Sequence, residues 1–543
     1  MRGRERLAVF SVCLAVVITI AHDGARSQTP ASALNTPRQL RQVAYLKSSN
    51  AEAGDHFGCG GSLTAHTGNG LAISSDGSTL AVGAQHESGG AKGVNGNQND
   101  ESAYGSGAVY VFVRRGDGWA QQAYIKASNP GSSNRFGSVV ALSADGNTLS
   151  VSAVWEASAA TGINGNQNDD SIPQAGAAYV FTRTGNTWSQ QAYIKASNTG
   201  RVAAPSDPSD FGDGDQFGYS LALSGDGDTL AVGAITEDSR ASGINNIQND
   251  DSAASSGAVY VFTRTGSAWS QQAYVKGSNT EGGDLFGYNV GLTADGNTMA
   301  VAGYDEDGST RQINGIPDNL RNGSGAIYVF TRTGGTWTQQ AYLKGSRSET
   351  ADALGYSLAI SEDGNTIAGG AADETCLATG INPPGCTDDR TPNANVGAAY
   401  VFVRNGNTWT EQAFIKPSNT TLQDWFGVRM ALSGDGNTLA VSATNEDGAA
   451  KGINGKQDDE SALEAGAVYF FTRSGATWTQ QAYVKASNTE AFDEFGVSVA
   501  LNRVGWIMVV SARSEDSAAK DVNGNQNDNS AQEAGAAYVF VNN

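Results

Sequence analysis

One phrase is written seven times along this chain, and that repetition limits the possible folds more than any composition could. Each copy opens on Phe-Gly at the head of a short strand and passes an Asp-Gly turn into a second strand. A Glu, a polar loop and a closing Gly-Ala-x-Tyr-x-Phe strand follow. The opening residue is Phe57, Phe136, Phe217, Phe286, Phe426 and Phe495, with Leu354 in the fifth copy. The closing strands start at Gly107, Gly176, Gly257, Gly325, Gly397, Gly466 and Gly535. A repeat of about 70 residues made only of short strands reads as one blade of a radial sheet assembly.

A fourth strand of the form Trp-x-x-Gln-Ala-(Tyr/Phe)-x-Lys follows six of the closings, at Trp119, Trp188, Trp269, Trp337, Trp409 and Trp478. The third strand is apolar and aromatic without a polar break, as a strand covered on both faces should be. The fourth, with its Gln and Lys, reads as an outer edge. The seventh closing has no fourth strand after it, but residues 40–47, LRQVAYLK, carry that pattern at the other end of the chain. The expected fold is all-β: a seven-bladed β-propeller of four-stranded blades, closed by an N-terminal strand that completes the C-terminal blade. The blades fall at 54–126, 134–195, 215–276, 284–344, 352–416, 424–485 and 493–543 plus 40–47, within a domain spanning 40–543. Type I′ turns are expected at Asp76, Asp145, Asp226, Asp295, Asp363 and Asp435, and a different turn at Arg503-Val504-Gly505 in the last copy.

Composition and the chain start then bound the setting. Gly supplies 69 of 543 residues, well above the usual ~7%, and concentrates in the turns. A formal charge of −21 argues against nucleic acid and anionic membrane surfaces as partners. Arg2, Arg4 and Arg6 precede an apolar run at 7–21 and a small-residue exit, so 1–27 reads as a secretory signal peptide and 28–39 as a linker. That run is short for a membrane span, and no other stretch is long enough. A soluble monomer is expected, secreted, periplasmic or on the cell surface. In such an oxidising compartment Cys376 and Cys386 should close a local disulfide, which leaves Cys59 over.

The Phe-Gly openings and Gly-Ala closings, repeated across 40–543, resemble the FG-GAP repeat of the integrin α-subunit propeller, and most of all its bacterial secreted versions. The resemblance implies a binding and adhesion platform whose ligand face carries the loops between strands four and one and between strands two and three. It also implies a calcium loop between strands one and two, of the Asp-x-Asp-x-Asp-Gly type, and there this chain departs. Only a tight Ser-x-Asp-Gly turn stands at that place, too few oxygens for calcium.

A second phrase recurs in the loop after strand two, at 93–102, 162–171, 243–252, 452–461 and 521–530. In the second copy Asn164, Asn166, Asn168 and Asp170 alternate oxygen-bearing side chains, which makes them candidate calcium ligands. Asn and Gly in such runs also build positive-φ turns bonded to their own backbone. Glu87, Glu156, Glu237, Glu306, Glu374, Glu446 and Glu515 recur after strand two. Asp recurs two residues before the opening Phe, with Asn134 in the second copy. Groups needed in every blade are expected to satisfy loop backbone, although an acidic ring at a channel mouth would attract a cation or a basic peptide.

Departures from the repeat are the better guide to a partner. The first copy carries an insertion between Phe57 and Asp76, together with His56, Cys59, His66 and His86. The third lengthens its entry loop with Asp207, Asp210 and Asp213, and the fifth holds the Cys376 to Cys386 loop. All three should fall on one face, and these His, Cys and Asp residues are the candidate ligand-binding set. The His and Cys spacing fits no zinc pattern, and no nucleophile elbow, metalloprotease helix or phosphate loop is present. The expected function is therefore a non-enzymatic binding or adhesion module that engages an extracellular protein or glycan, with calcium as candidate assistant. The alternatives are a propeller hydrolase or lyase acting on polysaccharide, or a structural envelope or matrix component.

Overall fold

The computed structural model describes residues 39–60, 69–200, 214–386 and 394–542. The leader, most of the linker, His66, Asp207, Asp210 and Asp213 lie outside the described residues. Seven four-stranded antiparallel sheets form a ring, with no helix among the described residues. The first blade runs Leu71–Ile73, Thr79–Ala84, Ala108–Arg115 and Gly118–Ile125 from the axis outward. In the last blade Leu40–Leu46 lies beside Ala536–Asn542, with pairs from Leu40↔Asn542 to Leu46↔Ala537. Each innermost strand packs on the next, and Leu71–Ile73 touches both Phe136–Leu142 and Phe495–Leu501, which closes the ring.

The two words of the repeat meet across each blade boundary. Phe136 sits edge-on against Tyr179 and Phe181 of its own blade, while its amide donates to the Ser106 carbonyl of the blade before, at 2.9 Å. Gly107, at φ 81°, lies so close that a Cβ there would overlap the Phe136 backbone. Only glycine fits a left-handed residue under another backbone. The same contact joins Gly535 to Phe57, the last copy to the first.

The strand-one to strand-two turns are not type I′. Gly77 (φ 72°) donates to the Ser74 carbonyl at 2.8 Å, and neither Ser75 nor Asp76 takes a positive φ. This is a type I turn followed by a left-handed glycine, with Asp76 Oδ1 accepting from Ser74 Oγ (2.6 Å) and from the Ser78 amide (2.9 Å). The last copy makes the same turn, contrary to expectation. Gly505 (φ 66°) donates to Asn502 at 3.0 Å, and the Asn502 side chain caps the Trp506 and Ile507 amides. Only the glycine demands a particular residue type, so the other letters were free to change.

The recurring Glu does not form an acidic channel ring. Each one is buried against the Lys that ends a fourth strand, as in Glu87 with Lys126 at 2.6 Å and Glu156 with Lys195 at 2.8 Å. The outer strand therefore buries its lysine completely. Tyr124 donates to Glu87 at 2.7 Å, and so does Asn50, from the neighbouring blade, at 3.2 Å. Asn50 in turn accepts from Tyr110. Buried charges persist only when paired and hydrogen-bonded, and this network meets that condition while tying blade to blade. Outside it, Gln122 accepts from Trp188 (3.0 Å) and Arg183 (3.1 Å) of the next blade, so the fourth-strand Gln is an interblade bracket. The fifth blade departs: Phe414 replaces the Tyr, Arg347 replaces the Asn, and the Tyr400 hydroxyl is left without a partner.

Candidate functional site

The start of strand one and the end of strand two pair at one end of the channel, as Phe217 with Ala234 shows. That mouth carries a column of seven different residues just before the opening Phe or Leu: His56, Arg135, Gln216, Leu285, Ala353, Trp425 and Glu494. All seven are left-handed, with φ between 51° (Leu285) and 61° (Ala353). Such a conformation costs a residue with a side chain about 1–3 kcal/mol, and it persists where surrounding structure over-determines it, above all at functional sites. Here the determinant is a backbone tether to the preceding blade, as in Arg135 to Gly105 (3.1 Å), Gln216 to Gln174 (2.9 Å) and Trp425 to Asn395 (3.0 Å). A fixed backbone thus presents a variable side chain.

Blades three to five contribute an aromatic wall. Tyr219, Tyr288 and Tyr356 occupy the same strand-one position, and Tyr304 follows strand two of blade four. Tyr288 stacks on Tyr304 with centroids 4.5 Å apart, and Tyr219 and Tyr356 pack on Tyr288 at 5.4 and 5.8 Å. Next to Tyr304, Asp305 is exposed, yet partial desolvation at the mouth and then Asp307 raise it to about 6. Burial, and after it Asp305, likewise pushes Asp373 up to about 6.

The opposite side is cationic and holds the first-copy residues. The His56 and His86 rings meet edge to face at 4.8 Å. Burial lowers His56 to about 4, helped by Arg513, and lowers His86 to about 3, helped by His56. Both are therefore neutral at neutral pH. Gln85 reaches the buried Cys59 sulfur at 3.4 Å, and Arg513 pairs with Glu494 at 2.6 Å. Arg135 lies over Trp155, 3.2 Å from the ring centroid. Three of the four first-copy candidates, His56, Cys59 and His86, thus come together, with no metal-sized ligand set around them among the described residues. Cys59 and Gly70, on either side of the insertion, lie close together, since a Cβ on Gly70 would overlap the Cys59 carbonyl.

The candidate calcium residues sit elsewhere on the same face; Asn168 and Asp170 are exposed, while Asn164 and Asn166 are used by the loop itself. Asn164 (φ 56°) accepts from the Tyr193 amide at 2.9 Å, and Asn166 accepts from the Asn168 amide at 3.1 Å. Asn95, Asn245, Asn454 and Asn523 repeat the first of these bonds, fastening each loop to a fourth strand. The third-copy departure is flanked by Gly200 and Gly214, which border a cleft of about 180 Å³ also lined by Asp215, Glu237, Asp238 and Asp251. In other blades the equivalent Asp caps its loop, as Asp284 Oδ2 does by accepting from the Glu281 amide at 2.8 Å. Asp215 Oδ2 is buried with no hydrogen-bond partner. Cys376 and Cys386 form the expected disulfide, Cα atoms 5.6 Å apart.

Exposed apolar side chains favour this face. Of ten large exposed hydrophobics among the described residues, eight are on its loops: Tyr104, Ile247, Ile316, Leu320, Leu377, Leu422, Leu463 and Phe492. The other two, Val504 and Trp506, lie on a turn of the opposite face.

The FG-GAP repeat model matches residues 207–262 and 478–540. The chain thus carries FG-GAP repeats in two segments of a seven-bladed β-propeller. No curated protein matches it in sequence. Among solved structures it is similar to the periplasmic gluconolactonase PpgL of Pseudomonas aeruginosa, at 13% identity and TM-score 0.42, covering 83% of this chain and 98% of that one. It is also similar to the hydrazine synthase of Kuenenia stuttgartiensis (12%, 0.41, 81% and 91%). The WD40 repeats of RRP9 give 8% identity and TM-score 0.44, with 93% and 100% covered. At such identities these likenesses say nothing about activity. No helix among the described residues is long and apolar enough to cross a membrane.

Proposed function

We propose that this chain is an exported, non-enzymatic binding module that engages an extracellular protein or glycan through the loop-bearing mouth of its propeller. One observation carries the reading: the variable left-handed column, the aromatic wall and eight of the ten exposed large hydrophobics among the described residues share one face. Apolar patches rimmed by polar loops mark interaction surfaces. The leader-like N-terminus and the Cys376–Cys386 disulfide support an extracellular setting. Calcium assistance, in this reading, belongs to the blade-three cleft around Asp215 rather than to the Asn164 loop, whose oxygens already hold backbone. A glycan and protein array probed with the chain lacking residues 1–27 tests the proposal. Specific partners are expected, and they should be lost when Leu463 and Phe492 are both changed to Ser. Retention of every partner by that variant and by mouth variants would sink it.

A polysaccharide hydrolase or lyase is the second reading, and the raised Asp305 and Asp373 pair favours it. Carboxyls poised near neutrality are what acid and base catalysis needs. Product release from a polysaccharide panel, abolished in Asp373→Asn, would replace the first reading with this one.

A further inference from the structure

Arg429 is the one member of its strand-one column with a charged side chain; Val139, Ser220, Asn289, Ser357 and Ser498 fill the equivalent places. Most of these side chains bridge to the next blade, as Ser220 and Ser357 do by donating to the Gly287 and Gly427 carbonyls, each at 2.6 Å. Arg429 also does so, donating from Nε to the Val497 carbonyl at 3.1 Å and from Nη1 to the Val428 carbonyl at 3.0 Å. A serine or asparagine would suffice for that. The guanidinium brings a full charge to a position only 5% exposed, and its Nη2 has no hydrogen-bond partner.

Among the described residues no carboxylate forms an ion pair with it. The largest electrostatic influences on Arg429 come from Tyr356, Tyr288, Tyr219 and Cys59, none of them anionic at neutral pH. Asp373 feels Asp305 but not Arg429, and Glu494 is held by Arg513. Nor does Arg135, at the rim two blades past the closure, have a carboxylate: it lies on Trp155 and feels only Cys59 and Tyr104. In a chain with net charge −21, Arg429 and Arg135 thus stand at the channel mouth with no carboxylate partner among the described residues. A buried charge without a partner is costly enough that it is retained where something arrives to pair with it.

We infer that the channel mouth binds an acidic saccharide, its carboxylate taken by Arg429 with Arg135 at the rim and its ring set against the tyrosine wall. A guanidinium offers a carboxylate charge-assisted hydrogen bonds. The wall of Tyr219, Tyr288, Tyr304 and Tyr356 supplies aromatic faces beside it. The inference rests on the reading of this face as the binding face and narrows it to one ligand chemistry.

The test is calorimetric titration of the chain lacking residues 1–27 with a panel of uronic-acid oligomers, each matched to its neutral counterpart, and with inorganic phosphate as a simple anion. Uronic-acid oligomers are expected to bind in preference to their neutral counterparts and to phosphate. Affinity should fall about tenfold or more in Arg429→Met and in Arg135→Gln. Thermal melting guards against misfolding. Without ligand, Arg429→Met should melt no lower than the parent, because an apolar side chain replaces an unpaired buried charge. Uronate should raise the parent midpoint but not that of the variant. Equal affinity for charged and neutral oligomers, tighter binding of phosphate, unchanged affinity in both variants, or binding of no uronate overturns the inference. Neutral oligomers binding at the mouth would do so while leaving the binding-face reading intact.

Discussion

Lys47 Nζ lies 2.8 Å from Glu515 Oε2 with both side chains out of solvent, although 468 residues separate them. The pair is the seventh instance of a network made within the chain in the other six blades, here assembled from its two ends. Tyr45 completes it by donating to Glu515 at 2.7 Å. Removing one partner of a buried pair leaves an uncompensated charge, which costs about 3–5 kcal/mol. Lys47→Ala should therefore destabilise the propeller by that amount in chemical denaturation. A loss below about 1 kcal/mol, the ordinary range for a surface pair, would mean that the clasp is not closed in solution.

The contact between repeat words predicts a contrast between two glycines. A Cβ at Gly107 would overlap the Phe136 backbone, whereas one at Gly116 (φ 61°) meets open space. Gly107→Ala combines left-handed strain with a backbone clash and should cost about 3 kcal/mol or more. Gly116→Ala should cost about 1–2 kcal/mol, strain alone. Equal losses in denaturant titrations would contradict the packing described.

Stability should depend on pH through the loop-capping carboxyls. Burial raises Asp55, Asp284 and Asp493 to about 8 and Asp424 to about 7, with neighbouring Glu residues adding to the shift. Folded values above the unfolded value of 3.8 mean that protonation favours the fold. Their contribution is complete below about pH 4 and is lost as pH rises through 7 to 8. Melting midpoints should fall over that window, and Asp284→Asn should flatten the decline. Asn134 shows that the second blade already accepts the amide.

Calcium at the blade-three cleft would have a local signature. Millimolar calcium should raise the melting midpoint of the parent chain and leave Asp215→Asn unmoved. Chelator without effect on the parent removes the metal from the account.

The ring was legible because its constraints are local: Phe-Gly and Gly-Ala must recur wherever two backbones cross, and the strand missing after Phe540 is spelled at 40–47. The mouth was harder to read. Tyr219, Tyr288, Tyr304, Tyr356 and Arg429 come from four blades and meet only through space. A signal was present in the column before Phe-Gly, where His, Arg, Gln, Leu, Ala, Trp and Glu alternate between fixed neighbours. What hid it was that left-handed φ values on non-glycine residues leave no trace in residue type. His56, Cys59 and His86 stand out in the sequence because they crowd one copy, and they do come together, while Lys126 and its equivalents were misplaced on a solvated edge. Their burial depends on a Glu some 40 residues away.

On the proposed reading, what recurs builds the ring and what varies at one mouth binds. Its most direct test compares the two faces on one immobilised partner selected from the arrays. Tyr304→Ala with Trp425→Ala changes the mouth, and Val504→Ser with Trp506→Ser changes the opposite face. The mouth variant is expected to lose binding while remaining folded by thermal melting, and the opposite-face variant to bind as the parent does. Loss of binding only in the opposite-face variant would contradict it.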